Sequence, residues 1–131
     1  MAGVSPRPFL HWLGVLLLAH GTVSLALDAA GRQSTALPLR VVDADPGHSL
    51  IHVAWGLALV MLIRRGLPDL DAARLAIGFG VFYGALAAAG LALHHPLGLR
   101  LNRGENVFHV VVATTSLAVG LAALRVRARP A

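Results

Sequence analysis

The sequence predicts an all-α integral membrane protein, a four-helix bundle made of two tandem helical hairpins. Three observations carry that expectation. Apolar residues make up 56% of the 131 residues and charged residues only 13%, with mean hydropathy +0.71, whereas a soluble domain carries about 25% charge to cover its surface. The apolar residues fall into four runs bounded by turn formers, each approaching the ~20 residues needed to cross a ~30 Å hydrocarbon layer. The chain also repeats itself at an interval of 57 residues: Asp45 matches Asn102, Gly47 matches Gly104, Ser49 matches Asn106 and His52 matches His109. Each copy opens with a capping side chain and a short polar turn. A histidine follows seven residues after the cap, ahead of a further apolar run. A two-span unit that duplicates in this way gives two parallel halves related by an axis along the membrane normal.

The first span is expected over residues 9–27, after Ser5-Pro6-Arg7-Pro8. Ser24-Leu25-Ala26 would suit a signal peptidase, but the length of the run and the Trp12, His20 and Gly21 inside it favour a retained span. Residues 28–47 are rich in Asp, Gly, Arg and Pro and read as a loop outside the hydrocarbon. The second span is expected over 48–63, capped by Asp45 with Pro46 at the first helical position. Arg64 to Asp71 forms a short turn, with Asp69 or Asp71 expected to cap the third span over 72–93. That span carries Gly80, Gly84 and Ala88, a stripe of small residues that lets a neighbouring helix approach closely. His94-His95-Pro96 stops it. The fourth span is expected over 105–124, capped by Asn102, with Glu105 three residues on in a capping-box arrangement. The whole chain, 1–131, is then one transmembrane domain with repeat halves at about 9–65 and 66–124.

All 11 basic residues are arginines, set against 6 acidic ones. They lie between and after the apolar runs, which suits anionic lipid headgroups and offers no aromatic-interleaved basic stretch for nucleic acid. Arg7, Arg64, Arg65, Arg74, Arg125, Arg127 and Arg129 lie on the side shared by both termini; Arg32, Arg40, Arg100 and Arg103 lie on the other. The excess places both termini in the cytoplasm. With no cysteine there is no disulfide or thiolate ligand.

Histidines inside spans are costly unless they face protein or water. His20, His52 and His109 are expected at similar depth in the outer half of the membrane, and His48 shares a helical face with His52. Three readings stay open. The imidazoles act as interhelical glue, hydrogen-bonding to Ser24, Ser49, Asn106, Thr114 or Thr115. Alternatively His52 and His109, with His20 nearby, are axial ligands of a haem b, for which Gly56 and Ala113 one turn further on would make room. Or His48 and His52, joined by His20 or His109, bind zinc or copper through their i, i+4 spacing. Trp55 and Phe108, beside the histidines, are expected to pack in the outer part of the bundle; His11 and Trp12 read as interfacial anchors, as do His94 and His95 at a helix end. No Ser/His/Asp order, P-loop or dinucleotide glycine pattern is present, and the chain is not expected to be an enzyme.

The openings Asp45-Pro46-Gly47-His48-Ser49-Leu50-Ile51-His52 and Glu105-Asn106-Val107-Phe108-His109 resemble those of a family of small bacterial four-span membrane proteins known as a domain of unknown function. Its members typically show N-P-x-H-N-x-x-H opening one span and D-N-x-x-H opening the last. Pro46, His48, His52, Asn106 and His109 match; Asp45, Ser49 and Glu105 depart from it, each by a polar residue. The resemblance implies a bacterial inner-membrane protein in which the histidines belong to a shared plan, and it supplies no reaction. The expected role is that of a structural or accessory subunit in the lipid bilayer. It would pair with itself or with a larger complex through the stripe of Gly80, Gly84 and Ala88.

Overall fold

The computed structural model describes residues 5–31, 45–93, 98–99 and 101–128. Four helices make up the fold: α1 (Pro6–Ala29), α2 (Pro46–Arg64), α3 (Asp69–Ala92) and α4 (Arg103–Arg127). All four are long and apolar enough to cross a membrane. Even the shortest, α2 with 19 residues, spans about 28 Å at ~1.5 Å per residue. Of the loop expected over 28–47, the ends are taken up by α1 and α2 and residues 32–44 lie outside the described residues, as do His94, His95, Arg100 and Arg129.

Each helix starts where local chemistry relieves its unpaired N–H groups. Prolines stand at the start of α1 and α2, where a missing N–H costs nothing. The Asp45 carboxylate accepts from the backbone N–H groups of Gly47 at 3.0 Å and His48 at 3.3 Å. Asn102 Oδ1 accepts from Glu105 N–H at 3.0 Å, and Asn102 N–H donates back to Glu105 Oε2 at 3.2 Å, a complete capping box. The start of α3 differs from the expectation. Its N-cap is Pro68, without any side-chain cap, and Asp69 and Asp71 lie inside the first turn. Pro68 is held extended at φ −59° and ψ 147°, and the two carboxylates favour the positive end of the helix through charge alone. Gly66, at φ +82°, turns the chain between α2 and α3.

The helices pack as two hairpins, α1 on α2 and α3 on α4, joined mainly through α1 against α3 and α4. Small residues set both hairpin crossings. A Cβ on Gly14 would meet Gly56 O at 3.1 Å and Val60; one on Gly80 would meet Ala113 O at 3.0 Å and Leu117. Gly56 and Ala113, like Val60 and Leu117, are 57 residues apart, so the sequence repeat is also a repeat of packing. Gly80 is therefore spent inside the chain, against α4. Gly84 is half-buried beside Ala113, and of the expected stripe only Ala88 is exposed.

Leu10, Leu13, Leu17, Leu59, Ala76, Phe79, Tyr83 and Val112 form the apolar core. Large apolar side chains such as Trp12, Leu91, Val107 and Val81 point outward, as expected where the solvent is hydrocarbon. One end of the bundle is gathered by Asp69, which accepts from the Ser5 hydroxyl at 3.2 Å and pairs with Arg127 at 3.7 Å. His20, His48, His52 and His109 gather at the other end.

Candidate metal centre

The parallel repeat brings the openings of α2 and α4 to the same end of the bundle, where long side chains at their matched positions meet across its interior. His48 and His52 lie on successive turns of α2, with ring centroids 4.4 Å apart. Glu105 and His109 occupy the matching turns of α4. Across the interface His109 lies 5.3 Å from His48 and 6.2 Å from His52. From α1, His20 brings its Nδ1 to 2.8 Å from His52 Nδ1 and stacks on Phe108 at 5.4 Å. Tyr83 of α3 closes the far side, 5.3 Å from His109. All four helices thus contribute to one polar cluster in an apolar bundle.

The cluster is dry. His48, His52, Glu105 and His109 are 3%, 1%, 1% and 0% exposed. One nitrogen from each of His48, His52 and His109 lies within 4.8 Å of the others. Three nitrogens bound tetrahedrally to one ion at ~2.0–2.1 Å sit about 3.4 Å from one another, so binding an ion draws the three rings closer together.

Second contacts fix which atoms are free to bind. The 2.8 Å contact between His52 Nδ1 and His20 Nδ1 requires one to donate and the other to accept. His48 Nδ1 stands 3.2 Å from Glu105 Oε1. The distance is that of an ion pair, but Oε1 gains no well-aligned hydrogen bond from it. In both histidines the buried Nε2 has no partner, and in His109 neither nitrogen has one among the described residues. A carboxylate or imidazole behind one ring nitrogen, with the other left open, is the arrangement that orients histidine ligands of metals.

The unpartnered nitrogens also weigh against a purely structural role. A buried polar atom left unmade costs about 1–3 kcal/mol, and four such imidazole nitrogens occupy this one cluster. Four of the five expected glue partners, Ser24, Asn106, Thr114 and Thr115, do not relieve them. Thr114 and Thr115 are exposed and donate to carbonyls of their own helix, at 2.8 Å to Val110 O and 2.7 Å to Val111 O. Ser24 Oγ and Asn106 Oδ1 are buried without partners among the described residues.

A haem between His52 and His109 does not fit. The rings of His48, Tyr83 and Phe108 fill the surroundings, with centroids 4.4, 6.4 and 5.8 Å from His52. Gly56, expected to make room for a macrocycle, instead faces α1: a Cβ there would lie 2.5 Å from Leu18 N and 2.6 Å from Gly14 O. Trp55 turns away from the histidines and packs edge-on against Phe79 and Phe82, at 5.3 and 6.1 Å, beside an apolar groove between α2 and α3.

Sequence reasoning placed Glu105 at a helix mouth, as a capping arm. The structure adds that the same side chain is buried against His48. The signal was available, since Glu105 stands 57 residues after His48 and so holds the matching position in the repeat. Comparison with protein-family models, curated proteins and solved structures finds no match for the chain.

Proposed function

We propose that this is a small accessory membrane protein, without a catalytic centre of its own, that holds a first-row transition-metal ion between His48, His52 and His109. One observation carries the reading: three buried imidazoles from two parallel helices converge with unpartnered nitrogens, in a cluster that keeps a partner behind His48 and His52. Imidazole sets suit zinc, copper, iron and nickel, and suit magnesium or calcium poorly. The arginine distribution supports a bacterial inner-membrane orientation with both termini cytoplasmic, which puts the metal near the outer face. The helix openings support kinship with the four-span family that they resemble.

The test is metal analysis of protein purified in detergent without a histidine tag or chelating column, then dialysed against zinc or copper. About one ion per chain is expected, with loss of that ion in His52→Ala and His109→Ala, because each removes a ligand that only the folded bundle assembles. An optical spectrum without a Soret band is expected in the same sample. Metal-free wild-type protein after loading, or variants that bind as well as wild type, would rule the reading out.

A further inference from the structure

We infer that the centre is built for a monovalent soft cation, copper(I), in preference to zinc(II), with Glu105 as its buried counter-charge. This rests on the metal reading above and specifies the ion. Imidazole accepts either metal, so donor type does not decide between them. Charge and coordination number do.

Charge comes first. Three neutral imidazoles contribute none, and Glu105 is the single buried carboxylate among the described residues, with no buried arginine beside it. Copper(I) with the Glu105 carboxylate makes a neutral cluster. Zinc(II) leaves one uncompensated positive charge in a buried site, where charge is strongly disfavoured unless paired. Asp45 lies nearby at the mouth of α2, but it is only half-buried and already holds two backbone N–H groups.

Coordination number points the same way. Zinc(II) completes its shell with a fourth ligand, often water where the protein supplies three, whereas copper(I) is stable with three and needs no water in a buried site. Three nitrogens converge here. Glu105 is placed behind His48, at Nδ1, with its other oxygen taken by Asn102 N–H. It acts on the ion through His48 and through its charge, as a positioning residue. The remaining sides of the cluster are walled by the Tyr83 and Phe108 rings, at 5.3 and 6.0 Å from His109. Among the described residues no fourth His, Asp or Glu joins the three histidines in that group.

The experiment compares two anaerobic competition titrations of metal-free protein in neutral-lipid nanodiscs. Copper(I) is read with a chromophoric bicinchoninate competitor and zinc(II) with a metallochromic dye. Copper(I) is expected to bind about 100-fold or more tightly than zinc(II), a difference well resolved by such competition. Glu105→Gln keeps an oxygen for the capping box, so its unfolding midpoint should stay near wild type. Its copper(I) affinity should fall about tenfold or more once the counter-charge is gone. Zinc(II) binding as tightly as copper(I) overturns this inference and leaves the metal reading standing. Unchanged copper(I) affinity in Glu105→Gln overturns the counter-charge role. Failure to bind either ion overturns both readings together.

Discussion

Gly56→Ala adds a methyl group where no neighbour can yield. The new carbon would lie 2.5 Å from Leu18 N, 2.6 Å from Gly14 O and 2.9 Å from Leu18 Cα, all of them α1 backbone. Non-bonded carbon contacts settle near 3.5–4.0 Å, so the α1–α2 hairpin must open by about 1 Å at the crossing. A gap of that size forfeits about a quarter to a half of each contact's attraction along the seam. Overpacked sites of this kind lose about 1–3 kcal/mol. Opening also carries His20 away from His52, beyond the ~3.2 Å limit of a good N–H hydrogen bond, from a starting separation of 2.8 Å. Gly84→Ala is the matched control. Its Cβ would meet Ala113 Cβ at 3.8 Å, an ordinary contact, and at Gly78 a Cβ meets nothing within 4 Å. Alanine is the better helix former by about 0.8–1.0 kcal/mol, so both controls should match or exceed wild-type stability. Reversible unfolding in mixed micelles by titrated SDS, followed by far-UV circular dichroism, orders the three variants. If Gly56→Ala proved as stable as Gly84→Ala, the hairpin could not be crossing through Gly14 and Gly56 as described.

Other expectations are simpler. Asn102→Ala removes the cap that Glu105 reciprocates; a loss of about 0.5–2 kcal/mol is expected by the same titration, and no loss would mean that the capping box is idle. Tyr83→Phe deletes a buried hydroxyl that has no hydrogen-bond partner among the described residues. Its stability should be unchanged or raised, because an unmade bond is removed, and a clear drop would reveal a partner. Arg127→Ala breaks an ion pair whose side chains are 51% and 42% exposed, so less than about 1 kcal/mol should be lost; a larger loss would show that Asp69 organises that end more strongly than its exposure implies. The absence of cysteine allows clean topology mapping: a cysteine at Gly31 should react with an impermeant maleimide from outside the cell and one at Gly66 should not. The opposite pattern reverses the orientation.

Much of the fold was legible because lipid imposes simple rules. Four apolar runs gave four helices, and Asp45-Pro46 and Asn102 with Glu105 marked two starts through capping chemistry. Edges were harder. α1 begins at Pro6 and α4 continues to Arg127, beyond the expected 9 and 124, because prolines at a helix start and arginines at its end extend a helix into headgroups where hydropathy gives no signal. Facing was harder still. In a bundle surrounded by lipid, apolar residues lie on both the packed and the exposed faces, so nothing in the sequence said that Gly56 turns to α1 or that Gly80 is spent on α4. The histidines were easier to place, because a polar group in a span must turn inward. Their assembly into one cluster required the repeat. The inward fold of Glu105 was hidden behind its plainer reading as a cap.

Metal binding by His48, His52 and His109 is decided by the immediate surroundings of a bound ion. X-ray absorption at the metal K-edge of the stoichiometrically loaded protein reads that directly. Three imidazole nitrogens are predicted at about 2.0–2.1 Å, with the multiple-scattering pattern of the rings. An oxygen-dominated shell, or fewer than two imidazoles, would contradict it.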